Sequence, residues 1–215
     1  MIGANANSLK EECCVKEQAA TQTSVADYFD RRAAGWETVE EHTSSVVQPA
    51  VAVLAGVHAG GSVLDVGCGI GVMEQVLHNL GAGRIVAVDV SSKMIAKART
   101  RFAGYDEMTF EVADVTDMTC DEPFESVVIY NAYPHLLRRD ELVRNVHKLL
   151  VPGGRFVVAH NDSRQHLNQH HEAVAAGVSL GLRPARVEAE AWQELFEVDA
   201  IVDTPAFYAF AGWAR

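Results

Sequence analysis

The glycine-rich stretch V-L-D-V-G-C-G-I-G, residues 63–71, decides the fold of this chain. Its first half is apolar and rich in β-branched residues, which is typical of a buried strand. Its second half places glycines at alternate positions, so the backbone can approach a ligand closely. Several kinds of nucleotide-binding fold use such a loop. By itself, the stretch therefore predicts a strand, a ligand-binding loop and a following helix.

The spacing of the glycines narrows the choice of ligand. Val72 stands where the dinucleotide fingerprint G-x-G-x-x-G requires its third glycine after Gly67 and Gly69. No Lys-Ser or Lys-Thr pair follows, as a P-loop would require. Pyrophosphate is therefore not the favoured ligand. An NAD(P)-dependent oxidoreductase remains an alternative that Val72 disfavours.

Three aspartates follow or end three successive predicted strands. Asp65 precedes the first glycine, where a carboxylate suits an ammonium or hydroxyl group better than a phosphate. Asp89 ends the second strand, at the position that faces ribose hydroxyls in such sheets. Asp114 follows the third strand, within reach of an adenine amino group. Any one of them could be a turn or cap residue, but the three together indicate a nucleoside site.

Outward from the glycine loop, short β-branched runs alternate with longer helical patterns. Strands are predicted at residues 62–66, 84–90, 109–112, 126–131 and 155–160, and helices at 72–80, 92–102 and 136–150. Two further helices, at 163–177 and 187–195, precede two strands at 196–202 and 206–213. The turn between those last strands is short enough for an antiparallel hairpin.

This pattern predicts an α/β fold: a doubly wound, mostly parallel seven-stranded sheet with an antiparallel C-terminal hairpin and an N-terminal helical cap. Residues 1–22 are predicted to be a flexible tail, because they lack an apolar period that could pack. Residues 23–60 form the predicted helical cap, with one helix that starts at the N-cap Ser24 and a second helix at about residues 40–57, and residues 61–215 form the core. Cap and core are expected to make a single domain.

Composition limits the classes of function. A formal net charge of −11 repels phosphate backbones, so no nucleic-acid partner is expected. The sequence shows no apolar run of about 20 residues and no signal-peptide pattern, which predicts a cytoplasmic protein without a membrane partner. The four cysteines form no C-x-x-C pair and suit a reducing compartment. The sequence also allows a homodimer.

Three motifs together resemble the class I, Rossmann-like S-adenosylmethionine-dependent methyltransferases of the small-molecule type. They are residues 63–71, the run V-D-V-S-S-K-M-I at 88–95, and the run L-V-P-G-G-R at 150–155. The resemblance implies that S-adenosylmethionine is the cofactor. It also implies that Asp65 and the glycines hold the methionine part, Asp89 the ribose, Met94 an adenine face, and Asp114 with Val115 the adenine edge. The full predicted cofactor set is Asp65, Gly67, Cys68, Gly69, Gly71, Asp89, Val90, Met94, Asp114, Val115 and Asn131.

Two histidines are the predicted catalytic residues. His135 follows the fourth strand and His160 ends the fifth, where parallel sheets bind their ligands. Methyl transfer is a displacement that needs an aligned acceptor, and a histidine can serve as general base where the acceptor must lose a proton. The alternative is that both are solvated loop residues. The predicted substrate contacts are Tyr28, Trp36, Tyr133, Arg164, His166 and His170.

His166 and His170 lie four residues apart on a predicted helix, a spacing that can chelate a metal with His160 as a third ligand. The H-E-x-x-H arrangement is absent, so no metal is predicted, and a substrate-facing cluster that includes Arg164, Asn168 and His171 is favoured instead. A non-catalytic cofactor- or metal-binding module remains a further alternative. The leading hypothesis is methyl transfer from S-adenosylmethionine to a small-molecule acceptor by direct displacement, with the acceptor atom left open.

Overall fold

The computed structural model describes residues 25–37, 46–175 and 177–215. The predicted tail at 1–22, the predicted N-cap Ser24 and part of the second predicted cap helix lie outside these described residues. From the cap, the structure shows helix α1 at residues 25–32, a 3-10 turn at Ala33–Gly35 and helix α2 at Val47–Leu54.

Seven strands form one sheet in the described chain. They are β1 (Ser62–Val66), β2 (Arg84–Asp89), β3 (Met108–Val112), β4 (Phe124–Tyr130), β5 (Leu150–His160), β6 (Phe196–Asp203) and β7 (Tyr208–Ala214). Their order is β3-β2-β1-β4-β5-β7-β6. Strands β1 to β5 pair in parallel, whereas β7 runs antiparallel between β5 and β6. The predicted fold class is confirmed.

Helices cover both faces of the sheet. Those that follow α2 are α3 (Glu74–Asn79), α4 (Ser92–Arg101), α5 (Arg139–Leu149), α6 (Arg164–Val174) and α7 (Ala185–Glu190). Helix α7 starts and ends earlier than the predicted helix at 187–195. The chain leaves the helix after Glu190, and Trp192 is buried with its ring stacked on that of Phe156, at 4.1 Å between centroids. Burying this indole in the core takes precedence over extending a short helix.

Strand β4 shows how the core is divided. Val127 and Ile129 point into the cluster covered by α5 and α7, whereas Val128 and Tyr130 point into the cluster covered by α2 and α3. Alternate residues of a strand face opposite sides of the sheet, so a strand that is apolar throughout has to be covered on both. The fourth predicted strand, at residues 126–131, is therefore buried on both faces over Ser126–Tyr130.

The site lies where the strand order reverses. Strands β1 and β4 are neighbours, but the chain leaves β1 toward β2 and leaves β4 toward β5. The connections that follow β1 and β4 therefore run in opposite directions and leave a crevice at the carboxyl ends of these strands. Ligands bind in such crevices in open α/β sheets. Helix α1 covers this crevice. Asp30 accepts hydrogen bonds from the Ser91 hydroxyl, at 2.5 Å, and from the backbone N–H of Lys93, at 3.1 Å.

Candidate functional site

A cavity of about 250 Å³ occupies the crevice at the carboxyl edge of the sheet. One end is formed by the glycine loop and the ends of β2 and β3. The other end is formed by the ends of β4 and β5, helix α6 and the 3-10 turn Tyr133–His135. Of the predicted cofactor residues, those that line the cavity are Gly67, Cys68, Gly69, Asp89, Val90, Met94, Val115 and Asn131.

The glycine loop needs glycine for two physical reasons. Gly67 has a φ of +72°, and a Cβ atom added there would overlap the Cβ of Ala132. Gly69 has a φ of +58° and its backbone faces the indole of Trp36. Gly71 differs, because a side chain there would overlap the ring of Phe102. The first two glycines thus shape the cavity, whereas Gly71 allows α4 to pack closely behind the loop.

Asp89 connects the glycine loop to β2. One carboxyl oxygen accepts the N–H of Gly69 at 3.0 Å, and the other accepts the N–H of Ser91 at 2.8 Å. Burial raises the pKa of Asp89 to about 6, while these two hydrogen bonds act in the opposite direction. A carboxylate has about four acceptor positions, so Asp89 retains capacity to accept two ligand hydroxyl groups. This geometry suits a ribose.

The structure does not bring two of the predicted aspartates to the cavity wall. The carboxyl group of Asp65 is buried behind the glycine loop, and burial raises its pKa to about 7. The carboxylate of Asp114 pairs with Arg138 at 2.8 Å and accepts the Thr116 hydroxyl at 2.7 Å. Its chain neighbours Ala113 and Val115 line the cavity instead. Asp114 therefore fixes the loop that presents them.

Three histidines form the opposite end of the cavity: His135, His160 and His171. His160 is only 1% exposed, and neither of its ring nitrogens has a hydrogen-bond partner among the described residues. Burial lowers the pKa of His160 to about 3, and the neighbouring His171 adds to this effect. Burial also lowers the pKa of His135 to about 4. Both rings are therefore neutral at neutral pH.

The other two members of the trio have ordered ring orientations. Nδ1 of His135 lies 2.9 Å from the carbonyl oxygen of Val178, so that nitrogen carries the proton and Nε2 is left as an acceptor. Nδ1 of His171 lies 3.0 Å from the Ser179 hydroxyl. The rings of His135 and His171 are in contact, with centroids 4.9 Å apart.

His171, a member of the predicted substrate-facing cluster, lines the cavity, and its position corrects the predicted face of helix α6 for His166 and His170. Leu167 and His171 line the cavity, whereas His166 and His170 are exposed on the other side. His166 pairs with Asp162 and is 70% exposed. The apolar residue Leu167 sets the inward face, and residues four apart share a face. The pair at 167 and 171 is therefore inside, and the pair at 166 and 170 is outside.

Among the remaining predicted substrate contacts, Trp36 lines the cavity. Tyr28 does not line it and packs edge-on against Phe29. Tyr133 is buried in the core, and its hydroxyl lies 3.3 Å from Glu188. Arg164 lies 3.5 Å from Asp203. Within the described ranges, no group of three His, Cys, Asp or Glu residues is placed to hold a metal ion.

Residues 63–154 match the family model described as a methyltransferase domain. This match identifies a methyltransferase domain in residues 63–154, and the seven-stranded sheet with its reversed hairpin agrees with the predicted class I S-adenosylmethionine-dependent fold. The predicted class and its cofactor, S-adenosylmethionine, are confirmed. The match also favours this class over the oxidoreductase alternative.

Known relatives and structures agree with this class. The sterol 24-C-methyltransferase of Saccharomyces cerevisiae is 29% identical over 138 residues, which cover 61% of this chain and 36% of that protein. A methyltransferase bound to the Trm112 activator of Haloferax volcanii has a TM-score of 0.74 at 23% identity, covering 89% of this chain and 97% of that one. The N-methyltransferase NodS of Bradyrhizobium japonicum WM9, bound to S-adenosylhomocysteine, has a TM-score of 0.70 at 15% identity, covering 89% and 98%.

The aligned part of this chain spans less than half the length of the first curated relatives. Within residues 25–37, 46–175 and 177–215, every helix is too short or too polar to serve as a membrane span.

Proposed function

We propose that this protein transfers the methyl group of S-adenosylmethionine to a small-molecule acceptor held by His135, His160 and His171. One observation carries the proposal: a single cavity joins the glycine loop and Asp89 to three histidines at the ends of β4, β5 and α6. A nucleoside bound at the first end and an acceptor bound at the second would therefore meet inside one cavity.

The residues at the first end fit the cofactor. The backbone of Gly67 and Gly69 leaves room for its methionine part, and Asp89 has free acceptor positions for its ribose hydroxyls. Met94 and Val115 supply buried apolar surface for the adenine. The cofactor supplies a methyl group on a positively charged sulfur. The protein aligns that methyl group with the acceptor and excludes water.

The histidines at the second end of the cavity are better suited to orient the acceptor by hydrogen bonds than to act as a general base. A pKa of about 3 means that His160 would hold a transferred proton poorly at neutral pH. As a neutral ring it still offers one donor and one acceptor to a ligand. We propose that His160 fixes the direction of the acceptor's nucleophilic atom, and that His135 and His171 contact the rest of the acceptor.

The acceptor class follows from size and charge. The cavity is a pocket of limited size between the glycine loop and three histidines, and pockets of this kind bind small molecules. The net charge of −11 disfavours a nucleic-acid acceptor. Curated relatives include proteins named sterol 24-C-methyltransferase, demethylmenaquinone methyltransferase and ubiquinone biosynthesis O-methyltransferase. We also propose a cytoplasmic location, because the cysteines Cys68 and Cys120 are free thiols.

Calorimetry with S-adenosylhomocysteine tests the cofactor half of this proposal. Asp89→Ala is expected to weaken binding by about tenfold or more, because it removes a buried acceptor of two hydroxyl groups. Asp106→Ala is the matched control, since Asp106 is exposed and distant from the lining residues. Absence of binding by the folded wild-type protein would refute the proposal. A screen of metabolite fractions with methyl-labelled cofactor then identifies the acceptor.

A further inference from the structure

Glu74 is a buried acid outside the predicted site. It is the first residue of α3, directly behind the glycine loop, and it is 0% exposed. No other described residue donates an ordinary hydrogen bond to either of its carboxyl oxygens, and the same holds for Oδ2 of Asp65. Burying a carboxylate without a donor is strongly unfavourable, because the charge loses its hydration without compensation. The surroundings of Glu74 therefore require an explanation.

The Glu74 carboxyl group faces the carboxyl group of Asp65 at hydrogen-bonding distance. It also points back toward the loop, because a Cβ atom at Gly71 would lie 3.3 Å from its Oε2. Among the other groups around this pair, Asp89 on β2 raises the cost of negative charge on Asp65, and burial raises the pKa of the Cys68 thiol, which is therefore neutral. Arg101 on α4 lowers that cost, and Asp30 of α1 acts on Asp89.

Two buried carboxyl groups in contact keep at least one proton between them, because both cannot be charged at such close range. Burial raises the pKa of Glu74 well above its ordinary value, and the charge of Asp65 raises it further. The hydrogen bond from Glu74 opposes the effect of burial on the pKa of Asp65. The proton is therefore assigned to Glu74, and the O–H of Glu74 donates to the Asp65 carboxylate.

We propose that Glu74 acts as a neutral, protonated hydrogen-bond donor that favours the ionised form of Asp65 and orients it behind the glycine loop, where Asp65 attracts the ammonium group of the bound cofactor. Glu74 is thus a positioning residue. The inference rests on the proposed function, because it requires S-adenosylmethionine or its product in the cavity. It assigns to Glu74 a role that a charged carboxylate could not fill.

The pair Glu74→Gln and Glu74→Leu separates a neutral donor from a negative charge. Both variants remove the possibility of a negative charge at position 74. Glutamine keeps a hydrogen-bond donor toward Asp65, whereas leucine has no donor. Calorimetry with S-adenosylhomocysteine is the readout, because this product carries the same ammonium group. We expect Glu74→Gln to bind within about threefold of wild type at pH 7 and 8. We expect Glu74→Leu to lose about fivefold at pH 7, because one added unit of pKa lowers the ionised fraction of Asp65 from about one half to about one tenth.

Proton release gives a second readout, which a merely structural role would not change. The pKa of Asp65 is near 7, so wild type should release part of a proton on binding at pH 7, and Glu74→Gln should release a similar amount. Glu74→Leu should release more, and its affinity should recover as the pH rises to 9. The number of protons released is measured by comparing binding enthalpies in buffers with different ionisation enthalpies.

Three results would overturn the inference. The first is a Glu74→Gln protein that binds as weakly as Glu74→Leu, which would mean that negative charge on Glu74 is required. The second is equal binding by all three proteins. The third, which applies even if Glu74→Leu does not fold, is a pH midpoint in Glu74→Gln more than about one unit away from wild type. Each leaves the proposed function intact, whereas a folded wild type that never binds S-adenosylhomocysteine removes both.

Discussion

The two ends of the cavity differ in how the sequence specifies them. The end around Gly67, Gly69 and Asp89 is built by backbone conformation and by a side chain that directly ends a strand. The end around His135, His160 and His171 is built by side chains from three elements that are distant in sequence. The first end is therefore determined by local patterns, while the second depends on the phase of a helix and on long-range packing.

The largest expected effect is at Gly67, where backbone shape is critical. In Gly67→Ala the new Cβ would overlap Ala132, at a φ of +72° that already disfavours a side chain. We expect affinity for S-adenosylhomocysteine to fall by about 100-fold or more, with a loss of about 2–4 kcal/mol in the free energy of unfolding. Calorimetry and denaturant unfolding measure the two quantities.

Gly104→Ala is the matched control for Gly67→Ala. Gly104 has a φ of +99°, and nothing lies within 4 Å of its would-be Cβ. The free energy of unfolding of Gly104→Ala should therefore fall by only about 1–2 kcal/mol, because alanine is strained at this positive φ. Its affinity for S-adenosylhomocysteine should equal that of wild type. Equal losses of affinity in the two variants would show that the close approach to Ala132 is not what shapes the site.

The second prediction concerns His160, which belongs to the other end. In His160→Leu we expect methyl transfer to the acceptor found by the metabolite screen to fall about 100-fold, because the acceptor loses its orienting group. Affinity for S-adenosylhomocysteine should stay within about threefold of wild type. The free energy of unfolding should rise, since the buried ring nitrogens of His160 have no partner among the described residues. Turnover equal to wild type would contradict the role proposed for His160.

Much of the fold could be predicted because its patterns are local. The β-branched runs of β1 and β4, the glycine loop between β1 and α3, and the short turn after β6 each specify their own element. The length of α7 could not be predicted in this way. Its end depends on Trp192 stacking on Phe156, a contact between residues 36 positions apart.

The residues of the site also divide into those that local sequence patterns predict and those that depend on long-range packing. Asp89 and Met94 could be placed at the cavity because strand ends and the following helix fix them. The four-residue spacing of His166 and His170 predicts that they share one side of α6. It does not say whether that side faces the sheet. The apolar residue Leu167 four positions before His171 carries that information. Glu74 gives no such sign, because an acid in the first turn of a helix usually suits the helix dipole at a surface.

The third prediction compares two adjacent residues of α6. His171→Ala removes a ring from the cavity, whereas His170→Ala removes an exposed ring one position earlier. We expect methyl transfer to fall about tenfold in His171→Ala and to change by less than about twofold in His170→Ala. Steady-state assays of the two purified variants measure this. The reverse order of effects would mean that α6 presents its other face to the acceptor.

The smallest expected effect is a pH dependence of ligand binding, which distinguishes Asp89 from Asp65 at the cofactor end of the cavity. Adenosine contains the ribose but no ammonium group, so its binding should depend on Asp89 and not on Asp65. The pKa of Asp89 is raised to about 6 by burial, so lowering the pH to 6 protonates about half of it. A protonated carboxyl group accepts fewer hydrogen bonds from the ribose. Adenosine binding should therefore weaken about twofold between pH 7.5 and 6, as titration calorimetry can measure.

S-adenosylhomocysteine should weaken more than adenosine over this range of pH, because protonation of Asp65, with a pKa of about 7, also removes the charge that attracts its ammonium group. In Asp89→Asn the pH dependence of adenosine binding should disappear, while S-adenosylhomocysteine keeps the part that Asp65 contributes. Equal pH dependence for both ligands in the wild type would show that Asp65 does not sense the ammonium group. The backbone and Asp89 would then account for the whole cofactor end, without the buried acids behind the loop.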